Sequence, residues 1–298
     1  MNNPTAKAGK PKRGVSLFSY SGEFGVTMTL EDMFAEIHSI GARGVEILAN
    51  AHIEHYPEPD GEWLEHWDRL IEKYDLVPAE YGHWVDSRLY PGRELTSRES
   101  CEMLLRDFKL ANRLGFKVLR TKLGVIDDDL TPVRNWREFI EMALPMAEKY
   151  DVRMCPEIHA PTALKSRMVE EYVEFIEKTG TKHFGLNIDF GVFQTKRLPE
   201  SEWEPGAFHL PDFEPSAVED LIPLLPYVYC CHAKFVRVND RFEEETIPYE
   251  RVVRTLIDHQ WDGYLLSEYE GPWKNKPGVA VEQVRRQHVM LKRILGES

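Results

Sequence analysis

Short runs of apolar, β-branched and aromatic residues recur along the chain, and each is followed by polar residues and a longer segment with apolar residues at helical spacing. This alternation predicts strands over residues 14–19, 44–48, 77–81, 118–122, 153–158, 184–189, 228–233 and 263–268. The helical pattern is clearest over residues 30–40, 98–114, 136–150, 167–179 and 279–295.

Glycine follows two of the helical segments just before the next strand, in IGARGVEI and RLGFKVLR. Glycine is typical of the residue at which a helix stops. Repeated strand and helix units form a parallel sheet with helices outside it, and such a sheet of about eight strands commonly closes into a barrel. The predicted fold class is therefore α/β, a single (β/α)8 TIM barrel. A doubly wound open sheet is the alternative, but no GxGxxG motif follows the first strand.

The chain contains no Pro- or Ser-rich linker, so residues 14–298 are expected to form one catalytic domain. Residues 1–13 are basic and lack an apolar stretch, and we interpret them as a flexible tail rather than a secretion signal. Residues 192–215 are the longest irregular stretch. Because they follow the sixth strand, we expect a loop over the active-site face, with a solvent-exposed insertion as the alternative.

Composition narrows the range of partners. The net charge of -13 opposes binding to the phosphates of nucleic acid. No apolar run approaches the roughly 20 residues of a membrane span. The cysteines show no CxxC spacing, which argues against a disulfide framework and against structural zinc. We therefore expect a cytoplasmic protein in which Cys155, Cys230 and Cys231 are small buried strand residues.

Carboxylate and imidazole side chains stand at the ends of the last four predicted strands, in CPEIHAP, NIDFG, CCHAKF and LLSEYEG. These residues are Glu157, Asp189, His232 and Glu268. The carboxyl ends of barrel strands carry the catalytic residues of this fold, and such groups repel and desolvate one another there unless protonated, paired or bound to a cation. Oxygen and nitrogen donors together suit a divalent ion such as Mn²⁺ or Mg²⁺. The set predicts one metal ion, although each residue alone is equally well explained as a hydrogen-bonded polar residue of the barrel.

Side chains two residues apart in a strand share a face. His159 therefore shares the face of Glu157, and Lys234 shares the face of His232. The third and fourth strands also end in polar side chains. We predict substrate contacts from His83, Arg120, Lys122 and Lys234. The alternative for a cation at a strand end is pairing with a carboxylate, and Glu46 of the second strand is interpreted as a residue that orients a neighbour.

These strand ends resemble those of the xylose-isomerase-like barrels, which include sugar isomerases, ketose 3-epimerases and sugar phosphate isomerase/epimerases. The resemblance runs from RGVSLFSY to SEYEG. It implies that the four strand-end residues bind a divalent ion, usually Mn²⁺ with Mg²⁺ or Co²⁺ as alternatives. It also implies proton transfer next to the carbonyl of a sugar, through a stabilised enediolate. Glu157 and Glu268 would then act on opposite faces of the substrate, with His159 as the alternative base because imidazole titrates near neutral pH.

Ketose 3-epimerases usually carry a histidine three residues after the sixth-strand aspartate, where this chain has Val192. The loop that follows supplies aromatic residues able to cover a large planar ligand, among them Phe193, Trp203, Phe208 and Phe213. Around ExH and SEYEG the chain also resembles the catalytic α subunits of bacterial C-glycoside deglycosidases. That resemblance implies a carbon-carbon lyase, in which His159 removes the C2 proton of a 3-oxo-C-glycoside and the aglycone leaves by β-elimination.

The expected ligand is a small carbohydrate or glycoside. We expect a homo-oligomer, or a hetero-oligomer with a smaller subunit if the lyase interpretation holds, and Tyr269 and Trp273 are expected at the active site or at an interface. The family also includes endonucleases for abasic DNA, but this chain lacks their density of histidines and their basic charge. A non-catalytic carbohydrate-binding barrel is the other alternative, since a fold does not fix a function.

Overall fold

The computed structural model describes residues 9–83, 93–123, 131–207 and 212–297. Parallel strands β1 to β8 form a closed barrel in chain order, and the first strand pairs with both the second and the eighth. This confirms the predicted single (β/α)8 barrel. Among the described helices, none combines the length and the apolar character needed to cross a membrane.

The strands are β1 Lys12–Ser16, β2 Gly44–Leu48, β3 Val77–Gly82, β4 Val118–Thr121, β5 Arg153–Ile158, β6 Leu186–Asp189, β7 Val228–Phe235 and β8 Tyr264–Tyr269. The α-helices are α1 Leu30–Ser39, α2 Ala49–His52, α3 Gly61–Lys73, α4 Ser97–Arg113, α5 Trp136–Tyr150, α6 Arg167–Thr179, α7 Tyr249–Asp258 and α8 Val279–Leu295. Between β6 and β7 the chain forms the 3-10 helix Val218–Tyr227, which contains Pro223 and Pro226. Proline lacks the backbone N–H that an α-helix needs, which explains why this connection is a 3-10 helix and not an α-helix.

The first strand starts earlier than predicted. It begins at Lys12, so the predicted tail of residues 1–13 extends two residues too far into the chain. The backbone N–H of Lys12 donates to Gly263 O at 2.9 Å, and the Arg13 guanidinium donates to Ile40 O at 3.1 Å. The last three residues of the predicted strand, 17–19, belong instead to the 3-10 helix Leu17–Tyr20.

Local sequence signals set several helix ends. Thr29 and Thr96 each form a capping box at the start of a helix, which satisfies backbone N–H groups that have no partner within the helix. Gly41 and Gly115 adopt φ values of 69° and 88° where α1 and α4 give way to the next strand. Both glycines thus confirm the predicted helix stops, because φ above zero strains residues with a Cβ.

The barrel interior is apolar toward the amino ends of the strands and charged toward their carboxyl ends. Near the amino ends of the strands it is filled by a cluster of Ala79, Val118, Cys155, Cys230 and Leu266. All four cysteines are buried and free, which confirms the interpretation of those on the strands as small buried residues. Buried charged side chains occupy the carboxyl ends, where the predicted site lies.

Candidate metal centre

Four consecutive strands bring the predicted metal ligands together at the carboxyl end of the barrel. Glu157 lies on β5, Asp189 ends β6, His232 lies on β7 and Glu268 lies on β8. One ligand atom from each residue lies within 4.8 Å of the ligand atoms of the other three. The parallel register explains this proximity, since Asp189 pairs directly with His232. A single divalent ion fits a group of this size and donor type.

The contacts within the group leave acceptor oxygens available. His232 Nδ1 lies 2.7 Å from Glu157 Oε1 and 3.4 Å from Glu268 Oε2. Asp189 Oδ1 accepts the backbone N–H of Gly191 at 2.6 Å. Asp189 Oδ2 is buried and accepts no hydrogen bond from the described residues. A buried carboxylate oxygen without a donor is costly, and coordination to an ion removes that cost, so the donor set fits a metal.

Burial and mutual repulsion shift the pKa values of these groups in different directions. Burial, together with the nearby Glu268 and Glu157 carboxylates, raises the pKa of Asp189 well above its usual value. Burial also favours the neutral form of Glu268, but the positive charge of His232 outweighs it and lowers the pKa of Glu268 to about 2. Burial disfavours the His232 cation, yet the surrounding carboxylates raise its pKa. The group therefore requires positive charge among its carboxylates, which a divalent ion would supply.

Two further carboxylates lie on the other edge of the His232 ring. His232 Nε2 is 3.0 Å from Glu80 Oε2 and 3.2 Å from Glu46 Oε2, and both glutamates are fully buried. A metal-bound histidine typically donates its second N–H to a carboxylate, which fixes the ring and its tautomer. This arrangement fits the interpretation of Glu46 as an orienting residue. Glu80 is not among the residues predicted from the sequence, where His83 was the candidate at the end of the third strand.

Arg120 connects the two groups of carboxylates. Its Nε donates to Glu46 Oε1 at 2.9 Å, and its Nη1 donates to Glu157 Oε2 at 3.0 Å. The side chain is buried, and burial disfavours the Arg120 cation while Glu46 and Glu157 raise its pKa. Of the two interpretations of Arg120, the structure therefore supports a carboxylate partner that holds Glu157 in place.

His159 stands beside the ligand set with one ring nitrogen already used. Its Nδ1 is 2.6 Å from the carbonyl oxygen of Ala160, which can only accept. Nδ1 therefore carries the proton, and the lone pair is on Nε2. Burial is the largest effect on His159 and lowers its pKa, while the Glu157 carboxylate acts in the opposite direction. A neutral, half-buried imidazole next to the ligands has the chemistry of a general base.

Two predicted substrate residues face away from the ligands. His83 lies 3.1 Å from Asp107 of α4 and 3.2 Å from Thr121 Oγ1. The Tyr81 hydroxyl also donates to Asp107, at 2.5 Å. His83 and Tyr81 thus share a face, and that face points to the helices rather than into the barrel. Phe193 is fully buried in the hydrophobic core. Neither residue contacts the ligand set in these placements, and a substrate contact from His83 or Phe193 stays a prediction.

A cavity of about 380 Å³ is lined by residues just beyond the ligands of β7 and β8, and the four ligands themselves do not line it. Lys234 lines it, in contact with the carboxylate of Glu270. Trp203 forms part of the wall that the long loop after β6 contributes, and Phe18 and Lys274 lie in the lining as well. Neither Phe18 nor Lys274 was predicted, because Phe18 lies near the end of the first predicted strand without a polar side chain and Lys274 lies beyond the eighth. Lys122 is half-buried directly after β4 and does not belong to the cavity lining.

The other aromatic residues predicted near the site have different environments. Tyr269 is buried, whereas Trp273 is 45% exposed and its indole N–H donates to Glu202 O at 3.0 Å. Phe213 is half-buried and does not line the cavity. Phe208 lies outside the described residues.

The fold and the site together define a (β/α)8 barrel with a metal-type centre of carboxylates and imidazole at its strand ends. A family model described as xylose isomerase-like TIM barrel matches residues 34–293. The chain belongs to this family.

Known relatives are similar to the chain over almost its whole length. It is 26% identical to the 3'-dehydrocarminate deglycosidase alpha subunit of Microbacterium sp., covering 96% of each chain. It is 24% identical to a C-glycoside deglycosidase alpha subunit of Arthrobacter globiformis, covering 96% of this chain and 92% of the relative. The structure of D-psicose 3-epimerase from Clostridium cellulolyticum H10 superposes with a TM-score of 0.66 at 13% identity, covering 96% of this chain and 100% of the epimerase. At that identity the likeness concerns the fold alone.

Proposed function

We propose that the protein is a divalent-metal-dependent enzyme of the sugar isomerase/epimerase type. It removes a proton from the carbon next to the carbonyl of a sugar or sugar derivative. The observation that carries the proposal is the convergence of three carboxylates and one imidazole from four consecutive strands, with a buried Asp189 oxygen that accepts no hydrogen bond from the described residues. Membership of the xylose isomerase-like family supports a carbohydrate as the substrate.

Glu157, Asp189, His232 and Glu268 would hold the ion. Mixed oxygen and nitrogen donors favour Mn²⁺, with Mg²⁺ and Co²⁺ as alternatives. When bound, the ion would supply positive charge that stabilises the negative charge developing on the carbonyl oxygen. Arg120 and Glu46 keep the ligand side chains oriented through the contacts described above.

His159 is the proposed base. Donation from Nδ1 to Ala160 O leaves the Nε2 lone pair to accept the C–H proton, and the same Nε2–H can return a proton in the second half of an isomerisation. Glu157 and Glu268 are the alternative bases that the family resemblance implies. Lys234 and Lys122 are retained as candidate substrate contacts, and Lys234 is supported by its position in the cavity lining.

A carbon-carbon lyase is the second candidate, and the aromatic cavity beside the ligands favours it. Relatives named as deglycosidase alpha subunits match over 96% of the chain. In such a reaction His159 takes the C2 proton of a 3-oxo-C-glycoside, the C–H electrons form a C1–C2 double bond, and the C1–aglycone bond breaks. The aglycone carbon keeps that electron pair and takes up a proton. For the lyase we propose a hetero-oligomer with a smaller partner subunit, and for the isomerase a homo-oligomer.

Incubation in D₂O separates the candidates. The metal-loaded protein is mixed with free ketoses and with 3-oxo-glycosides, and the products are read by NMR and mass spectrometry. Deuterium in an isomerised or epimerised sugar supports the isomerase, and release of an aglycone supports the lyase. Glu157→Gln should abolish either reaction, while Glu174→Gln, on the exposed face of α6, is the matched control. Metal retention without any exchange would contradict the proposal and favour a carbohydrate-binding barrel.

A further inference from the structure

Lys274 occupies an unusual place for a lysine. It lies after β8, half-buried in the cavity lining, with Nζ 3.2 Å from the centroid of the Phe18 ring. Among the described residues Lys274 forms no ion pair, and the carboxylate of Glu270 contacts Lys234 instead. Burial lowers the pKa of Lys274 to about 8, against the opposing effect of Glu270 and Glu268. The face of the Phe18 ring compensates only in part for the water that this ammonium loses on burial.

The other cations of the cavity differ from Lys274 because each has a carboxylate partner. Lys234 contacts Glu270, and Arg197 Nη1 lies 3.4 Å from Asp212 Oδ1. Of the acidic residues that the loop contributes to the lining, neither Glu200 nor Glu204 forms an ion pair with Lys274, and Glu204 accepts the backbone N–H of Trp273 at 2.6 Å. Among the described residues of the lining, Lys274 is thus the cation without a carboxylate partner. A negatively charged group in the cavity would therefore pair with Lys274.

The walls around Lys274 also indicate the shape of the group. The rings of Phe18 and Trp203 line the same space, together with the side chains of Leu198 and Val236. Ligand pockets of about 300–1,000 Å³ with apolar walls and a few polar anchors are typical of small organic ligands. Lys234 and Glu270, each two residues beyond a metal ligand, also line the cavity, so this space adjoins the ligand set.

We propose that this cavity binds a planar ring that carries an anionic oxygen, with Lys274 paired to that oxygen and Phe18 and Trp203 against the ring. The oxygen is a carboxylate or a phenolate. Lys274 is therefore a specificity-determining residue for the part of the substrate that extends beyond the carbonyl carbon. Only the assignment of the ring to the part of the substrate beyond the carbonyl carbon rests on the proposed function. Binding of the ring itself requires no turnover.

The test measures binding of sugar-free probes to the metal-loaded protein by calorimetry. Benzoate is compared with benzamide, and 4-nitrophenolate with nitrobenzene, so that each pair differs chiefly in charge. We expect the wild-type protein to prefer at least one anion by about tenfold, as is typical of a hydrogen bond to a charged partner in a partly buried site. Preference within the first pair identifies a carboxylate, and preference within the second pair identifies a phenolate.

Lys274→Met should abolish the preference, Lys274→Arg should keep most of it, and Lys276→Met, at an exposed position two residues away, should leave it unchanged. Equal affinity for anion and neutral probe in the wild type would overturn the proposal. A preference that persists in a folded Lys274→Met variant would overturn it too, because the anion would then be held elsewhere, for example at the metal. Deuterium exchange is measured separately on the same samples, so a failure of the proposed function is distinguishable from a failure of this site.

Discussion

Replacing Glu80 with glutamine tests how far the buried carboxylates behind His232 support the ligand set. Glu80 Oε2 lies 3.0 Å from His232 Nε2 and accepts from Asn187 Nδ2 at 3.3 Å. The side chain is fully buried, so water cannot take over its contacts. Glutamine keeps the size and one acceptor oxygen but removes the negative charge.

The expected effect is on metal affinity rather than on folding. Loss of the carboxylate behind a metal-bound histidine typically costs about 10–100-fold in affinity, or about 1.4–2.7 kcal/mol. Since Glu46 still lies 3.2 Å from His232 Nε2, we expect the lower limit, about tenfold. Glu80 Oε1 accepts no hydrogen bond from the described residues, so removing the Glu80 charge from this cluster of carboxylates should leave the free energy of unfolding of the metal-free protein unchanged or raise it.

The assay titrates metal-free protein with Mn²⁺ and follows the paramagnetic resonance signal of the free ion, with urea unfolding measured in parallel. Glu282→Gln, which removes a surface carboxylate of α8, is the matched control for charge. A folded Glu80→Gln variant that binds Mn²⁺ within about twofold of the wild type would refute the reasoning, because Glu80 would then contribute nothing to the orientation of His232.

Four further outcomes are expected. Glu157→Gln and His232→Ala should lose both retained metal and activity, as elemental analysis and the D₂O assay would show; full metal content in either would contradict the ligand assignment. His159→Gln should retain the ion but lose about 10²–10⁴-fold in proton exchange. Burial, followed by nearby cations, lowers the pKa of His288 from 6.5 to about 3. Between these two pH values the unfolded state binds a proton that the folded state does not. Stability therefore falls by up to about 1.4 kcal/mol per pH unit as the pH drops from 6.5 to about 3. Urea unfolding should show a shallower acid loss in His288→Gln. Sedimentation should show an oligomer, and a monomer at micromolar concentration would oppose it.

The ligand set could be predicted because it depends only on strand order and on the position of strand ends. Glu157, Asp189, His232 and Glu268 each stand where an apolar strand gives way to a loop, and a closed parallel barrel brings such positions together. Glu80 also lies near the end of a strand. The sequence VPAEY shows that Glu80 and Tyr81 point to opposite faces of the third strand, but it does not show which of the two faces the barrel interior.

The substrate side could not be predicted because it depends on tertiary contacts. His83 was predicted to contact substrate, yet its contact with the buried Asp107 of α4 shows that its side chain packs toward the helices. Phe193 was assigned to a loop, but the 3-10 helix Phe190–Phe193 turns it into the core. Lys274 lies beyond β8 in a segment without periodicity, so only the packing of Phe18 against it reveals its place.

Closure of the barrel between β1 and β8 has a consequence for the order of folding. Lys12 pairs with Tyr264, so the contact that completes the sheet joins the first strand of the barrel to the last. Contacts of such large sequence separation slow folding, and this pairing is impossible until β8 has left the ribosome. The ligands lie on β5 to β8 and the residues that hold them on β2 to β4, so neither half of the chain carries a complete site. Metal capture is therefore expected to accompany the final closing step, and Mn²⁺ added during refolding should favour the closed barrel over partly folded chains.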